Sequence, residues 1–408
     1  MYPRYAKHKV TAALQDTPVV IIAGPRQCGK TTLAKEICQT NWQYLTLDDP
    51  TQLDFAKHDP VGFIRHLSAR HVIIDEVQRA PELFIAIKQA VDENRQPGRF
   101  LLTGSANALL LPSLAEALTG RLEIITLLPL ATVEIQQCSA TFLPKILAGE
   151  VPTSQQTRIR ETLIEKIIAG GFPEPLARND PARRTAWHLQ YINTLIQKDV
   201  TEMGKLEHLH VMPKLVQLLA QQVGQLTNHT ELAGRIGLSR QTMLRYATLL
   251  EQLYVFESLP AWHRNEHKRL IKTPKIHIVD SGLLCALKRI TAAKLQQTPQ
   301  HLGTLVESYV ICELKRLASW LDEPLYFYHY RDKDKTEVDL VLETLTGEVF
   351  GIEIKATATL KNQDFRGLER LQKLAGDGFV KGLLLYDGDH ATAFNEQIYA
   401  IPLGAIWN

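Results

Sequence analysis

Cysteine is scarce. The chain has five (Cys28, Cys38, Cys138, Cys285 and Cys312), an odd number with no CxxC spacing. This argues against a disulfide framework or a zinc site and fits a reducing cytoplasm. Long apolar runs are missing too. No stretch reaches the roughly 18 apolar residues a membrane helix needs, and the opening MYPRYAKHKVTAALQDTP has no apolar signal core. A cytoplasmic protein with no membrane partner is expected. Net charge is only +2, so there is no strong overall field for nucleic acid, and any such contact must come from a local basic patch. Internal repeats and low-complexity tracts are absent.

What is present has ordinary globular composition, 45% hydrophobic and 22% charged. A chain of 408 residues exceeds one core and should divide into about two to four domains. The first third alternates short apolar runs with helical stretches, the pattern of a parallel α/β sheet. VVIIAG (19–24), HVIIDE (71–76) and RFLLTGS (99–105) read as strands, TTLAKEI (31–37) as a helix, and Pro81 opens another in PELFIAIKQAVDE. The unit is expected to end near residue 135. Residues 136–205 read as mainly helical, interrupted by an irregular GGFPEP loop (170–175) to which no chemistry is assigned. Residues 206–298 form a third pattern, and 299–408 a separate α/β domain opening with the helix GTLVESYVICELKRL.

Gly24-Pro25-Arg26-Gln27-Cys28-Gly29-Lys30-Thr31 fits G-x-x-x-x-G-K-[ST] between a strand and a helix, with Thr32 following. Its glycines let backbone N–H groups approach phosphate oxygens, and the helix start offers unpaired donors to an anion. Lys30 should reach the β- and γ-phosphates of ATP, and the Thr31 hydroxyl should hold Mg²⁺. Asp75 ends a strand, where such sheets bind ligands, and should orient the magnesium shell. Glu76 can polarise the attacking water, which favours hydrolysis over binding alone. Thr103 and Ser105 end the next strand. They either touch the γ-phosphate or lytic water, or belong to a plain strand-end turn. Arg121 is either an arginine finger for a neighbouring subunit's nucleotide or a surface arginine.

GPRQCGKTT, VIIDEVQRAPELF, LLTGSAN, LTGR and GGFPEP, in this order, resemble the bacterial and archaeal AAA-type ATPases whose C-terminal half is a domain of unknown function related to restriction-endonuclease-like nucleases. The resemblance covers nearly the whole chain. It implies an AAA-type ATPase domain over 1–135 and, by analogy, a homo-oligomeric ring or arc sharing nucleotide sites. A helical lid or linker (136–205), a winged-helix domain (206–298) and a nuclease-like α/β domain (299–408) would complete the chain.

Within the third segment, TELAGRIGLSRQTMLRY has the plan of a helix-turn-helix, with Gly237 at the turn and Ser239 as N-cap. Arg240, Gln241 and Arg245 lie toward the second helix's exposed start. A strand and a basic hairpin-like stretch follow, with Arg264, Lys268, Arg269, Lys272 and Lys275 beside Trp262. This suggests a winged helix that binds DNA phosphates, with tryptophan available for stacking. The alternative is a protein-docking spacer.

In the last domain, Glu307 lies on the first helix, Asp339 in TEVDLVLE, and Glu353 and Lys355 in GIEIKA. Strand alternation puts Glu353 and Lys355 on one face. The set resembles PD-(D/E)xK nucleases, with Glu337 where the proline would stand. Asp339 and Glu353 could hold Mg²⁺, Lys355 could orient water, and Glu307 could add a contact. The fold either cleaves or is an inactive binding module. Together these readings describe an ATP-driven, DNA-directed machine suited to genome maintenance, mobile elements or defence. The rival is an ATP-dependent signalling switch whose C-terminal fold binds a partner.

Overall fold

Short apolar runs separated by glycine and polar breaks become the five parallel strands of the N-terminal sheet. They are β1 (Val19–Ala23), β2 (Trp42–Thr46), β3 (His71–Asp75), β4 (Phe100–Gly104) and β5 (Leu122–Thr126), in the order β2-β3-β4-β1-β5. β1 lies between β4 and β5 with all five residues buried, as a strand covered on both faces must be. Leu83, Phe84 and Ile87 of helix Leu83–Glu93 join Val19, Ile21, Ile74 and Leu102 in one core. Each such buried side chain is worth about 1.5–3 kcal/mol. The computed structural model describes residues 2–38, 40–67, 70–105, 117–152, 159–200 and 209–407. Ala106 and Asn107 of the LLTGSAN motif, and the expected boundary at 205/206, lie outside them.

The chain divides into two compact units, Pro3–Leu130 with Gln252–Val255, and Ala131–Glu251 with Phe256–Asn408. The second contains helices Arg160–Ala169, Pro181–Leu195 and Met212–Gln221, then the pair His229–Ile236 and Arg240–Gln252. Ser239 accepts a hydrogen bond from the Thr242 N–H at 3.1 Å, as an N-cap does. β6 (Phe256–Leu259) pairs antiparallel with β7 (Lys275–Ile278). A six-stranded mixed sheet follows in the order β12-β13-β11-β10-β9-β8. Its members are β8 (Leu325–Arg331), β9 (Glu337–Thr344), β10 (Val349–Lys355), β11 (Phe379–Tyr386), β12 (Thr392–Ala393) and β13 (Ile398–Pro402). Leu368 and Leu371 of helix Arg366–Ala375 pack on it with Val338, Val341 and Phe379.

Three expectations are corrected. Trp262 is only 2% exposed and sits in the sheet's core beside Tyr330, so it is not available to stack on bases. The basic stretch is not a simple hairpin, because Glu266–Ile271 is a helix and Arg269 pairs with Glu343. GGFPEP is not wholly irregular. Pro173–Leu176 is a helical turn with Pro173 in its first positions, where a missing N–H costs nothing.

The glycines of that motif wrap a buried carboxylate. Gly170 lies at φ 68°, and a Cβ there would collide with Asp280 Oδ1. The Gly171 N–H donates to Asp280 Oδ2 at 2.7 Å, and Arg316 Nη2 donates to the same oxygen at 2.8 Å. Arg316 also donates to Glu313 at 2.9 Å, and the Thr132 N–H donates to Glu313 at 2.7 Å. Pairing makes these buried charges tolerable. Among the described residues no helix is long and apolar enough to cross a membrane.

Candidate functional site

The loop after β1 turns on Gly24, at φ 150°, where a Cβ would strike the Leu127 carbonyl. Pro25 is buried, Arg26 half-buried and Gln27 exposed, and Gly29 is the N-cap of helix Lys30–Ile37. The Cys28 thiol donates to the Leu127 carbonyl at 3.1 Å, and its own carbonyl accepts from Arg4 Nη1 at 2.6 Å. Thr32 is exposed on the helix. Lys30 is 6% exposed, and its ammonium donates to the Gly24 and Pro25 carbonyls at 3.1 and 2.8 Å. Among the described residues it has no carboxylate within ion-pair distance. A buried cation held only by neutral carbonyls is a receptor for an anion.

Asp75, at the end of β3, is the opposite charge. The Thr31 hydroxyl lies 2.9 and 3.1 Å from its two oxygens, the Tyr44 hydroxyl donates to Oδ2 at 2.9 Å, and Thr103 donates to Oδ1. Burial, followed by the Asp75 carboxylate, pushes the Tyr44 phenol well up, so it remains a donor. A hydroxyl and a carboxylate already in contact are hard oxygen donors of the kind Mg²⁺ takes. The chemistry of the loop and of this pair therefore fits a magnesium–nucleotide.

Glu76 lies at φ 60°, ψ 41°, a left-handed conformation costly for a residue with a Cβ and concentrated at working sites. Its N–H donates to Thr103 Oγ1 at 3.2 Å, and Gln78 Nε2 donates to its carboxylate. Ser105 is 3% exposed, and its hydroxyl has no hydrogen-bond partner among the described residues. Thr103 and Ser105 thus separate: the first is committed to Asp75, the second is open. Arg121 stands apart, its Nε 2.6 Å from Asp92 and its Nη1 3.1 Å from the Thr119 carbonyl.

The C-terminal unit gathers a second set. Asp339 on β9 and Glu353 on β10 come from neighbouring antiparallel strands, and Asp339 Oδ2 accepts from the Ile354 N–H at 2.9 Å. Lys355 Nζ lies 2.7 Å from Glu353 Oε1, while Glu353 Oε2 is buried with no partner among the described residues. Glu307, on helix Leu302–Ala318, approaches through Lys275, whose Nζ is 3.4 Å from Glu307 and 3.8 Å from Asp339. Lys275 is 2% exposed, so it belongs to this cluster and not to a solvent-facing basic patch.

Burial, then the charge of Asp339, raises the pKa of both Glu307 and Glu353. Burial also raises Asp339, against the pull of Lys275 and Lys355. For Lys275, burial works downward, but Glu307, Asp339 and Glu337 outweigh it and raise its pKa. No group of three or more His, Cys, Asp or Glu among the described residues is drawn together as a metal centre. Lysines stand among the carboxylates instead.

Comparison with known proteins matches three segments of the chain. Residues 16–136 match the family described as AAA domain. The N-terminal unit contains an AAA-type P-loop ATPase domain. Beyond this AAA domain, residues 160–294 and 302–406 match two families described only as domains of unknown function, DUF8612 and DUF4143. The chain is 29% identical over 406 residues to uncharacterized protein Rv2008c of Mycobacterium tuberculosis, covering 99% of this chain and 84% of that protein. An uncharacterized Haemophilus influenzae protein is 26% identical over 188 residues, 45% of this chain and 44% of its own. Among solved structures, a RuvB variant of Thermotoga maritima has 21% identity and a TM-score of 0.29, covering 62% of this chain and 89% of its own. The Bacillus subtilis DNA clamp loader delta protein has 12% identity and a TM-score of 0.25, covering 76% and 100%.

Sequence reasoning missed Tyr44 in the AAA domain, because WQYLT carries no motif and only the β2–β3 pairing brings it to Asp75. It also missed the roles of Lys275, read among its basic neighbours, and of Asp280. The signal for Asp280 was its place before Ser281-Gly282, where it caps helix Ser281–Lys288.

Proposed function

We propose that the AAA domain hydrolyses ATP with Mg²⁺. The contact between Thr31 and Asp75 beside the anion-seeking Lys30 is the observation that supports this most strongly. Lys30 would leave its loop carbonyls for the β- and γ-phosphates, and Thr31 and Asp75 would hold a magnesium ion, which would supply neutralisation of the phosphate charge. Glu76 accepts the proton of the water attacking the γ-phosphorus as the bond to the bridging oxygen breaks, and Ser105 offers a hydroxyl to the γ-phosphate or that water. Lys30→Ala should abolish tight ATP binding in a fluorescent-nucleotide titration; unchanged affinity would contradict the reading. ATP-promoted assembly into a ring or arc would have Arg121 exchange Asp92 for a neighbour's nucleotide. Mixing Arg121→Ala with Glu76→Gln subunits should then restore activity, and no recovery in mixtures that co-assemble would count against it.

The second unit is proposed to act on DNA, through its helix-turn-helix region read as a winged helix and through a PD-(D/E)xK-type metal site. Glu353 Oε2, without a partner among the described residues and in a cluster of repelling carboxylates, supports a cation there. Asp339 and Glu353 would hold Mg²⁺, which would supply an activated water and stabilise phosphorane-like charge. Lys355 would orient that water, with Glu307 assisting. Labelled branched, duplex and single-stranded DNA, with and without ATP, Mg²⁺ and Mn²⁺, tests this: Asp339→Ala and Lys355→Ala should eliminate cleavage and spare ATP hydrolysis. The inactive, partner-binding alternative is favoured by Lys275, which already supplies a cation between Glu307 and Asp339. No cutting by wild type, with no metal binding lost in Asp339→Ala by calorimetry, would establish that alternative.

A further inference from the structure

A polar pocket of about 490 Å³ opens between the start of helix His229–Ile236, the start of helix Arg240–Gln252 and the chain entering β7. Thr227, His229, Thr230, Arg240, Lys272 and Thr273 line it, and no carboxylate is among its lining residues. Arg240 is exposed and has no ion-pair partner among the described residues. Lys272 donates at 3.3 Å to the neutral Arg331 carbonyl. His229 lines it as well, and its buried Nδ1 has no hydrogen-bond partner among the described residues. Two cations without an ion-pair partner among the described residues and three threonines in one concavity make a receptor for an anion whose oxygens accept several hydrogen bonds.

We infer that this pocket holds a backbone phosphate of DNA, which rests on the DNA-directed reading and narrows it to named residues. Of the cations in the basic stretch, Arg269 is taken by Glu343 and Lys275 by Glu307 and Asp339. That leaves Arg264, Lys268 and Lys272, and of these Lys272 lines the pocket with Arg240 from the helix-turn-helix. A nucleic acid strand suits the site better than a free anion, because the lining segment ends at Pro274 and the next residue reaches the carboxylate cluster. A strand seated on Arg240 and Lys272 would lie beside the side chains proposed to act on it. Contacts of this kind set position and affinity without reading sequence.

The test is fluorescence anisotropy of the full chain with labelled duplex DNA over a series of salt concentrations. Arg240→Ala and Lys272→Ala should each reduce the slope of log affinity against log salt by about 0.9, and the double variant by about twice that, equally for unrelated sequences. Arg240→Lys, which keeps the charge, should retain the slope. Arg183→Ala, an exposed cation on helix Pro181–Leu195, should leave it unchanged. Matching melting temperatures for Arg240→Ala and wild type exclude misfolding as the cause. If wild type binds DNA and the double variant matches it in affinity and slope, the pocket assignment is overturned while the DNA reading stands. If wild type binds no DNA even at low salt, both fall. Calorimetry with inorganic phosphate distinguishes the remaining source: phosphate bound by wild type and lost in Arg240→Ala, with no DNA bound, assigns the pocket to a free anion and overturns the DNA assignment.

Discussion

Lys275 Nζ lies 3.4 Å from Glu307 Oε1, with the lysine side chain 3% exposed. The pair joins β7 to helix Leu302–Ala318 inside the second unit. Removing one partner of a buried ion pair leaves an uncompensated charge, a loss of about 3–5 kcal/mol. Lys275→Met should therefore destabilise by up to that order in urea unfolding above the raised pKa of Glu307, and by less below it, where Glu307 takes up a proton; adding Glu307→Gln should recover part of the loss. A single substitution with no effect would show the pair to be solvated.

The same cluster sets a pH dependence. Burial and Asp339 raise Glu353 and Glu307 above the ordinary carboxylate range, so the folded state holds these protons more tightly than the unfolded chain. Their contribution is fully present below the unfolded carboxylate pKa and is lost as pH rises through the folded values. Glu353→Gln removes one such group. Calorimetry should find its melting temperature gaining on wild type between about pH 5 and pH 9; a gap that narrows would contradict the sign.

Tyr44→Phe removes one of three hydroxyl donors to Asp75. Hydrogen bonds to charged groups contribute about 1.5–3 kcal/mol, and the remaining donors, Thr31 and Thr103, soften the loss toward the lower end. Urea unfolding should show a decrease of about 1–2 kcal/mol. No decrease would mean the phenol is not a working donor.

The motifs near the phosphate loop were legible because each is local: an apolar strand, a glycine turn, a helix start and an acidic strand end lie within a few residues. Asp75 and Glu76 could be read from their place after Val72–Ile74. Tyr44 and Lys275 could not, since their partners lie 31 and 32 residues away in sequence. Lys275 was further disguised by Arg269 and Lys272, which make the stretch look like a solvated patch. The strand inverts the usual rule by burying Lys275, because its neighbours there include acidic side chains. Trp262 failed for the converse reason: a tryptophan beside cations suits a stacking platform and a core equally, and contacts with β8 decide for the core.

Asp280→Asn should be among the most damaging single substitutions in the second unit. It weakens the bond from Arg316 and leaves that buried guanidinium short of charge, while the amide must still satisfy the Gly171 and Leu283 N–H groups. The expected cost is about 3–5 kcal/mol, seen as a large drop in melting temperature. A folded variant of near wild-type stability would remove Asp280 as the anchor of the GGFPEP segment.

Steady-state ATP hydrolysis by Glu76→Gln with Mg²⁺, measured beside its equilibrium ATP affinity, tests the central claim most directly. Loss of a positioned general base reduces rate by about 10²–10⁴-fold. Turnover should fall by that order while ATP binding, held by Lys30 and Thr31, is retained. Hydrolysis at the wild-type rate would contradict the assignment of Glu76 and the mechanism built on it.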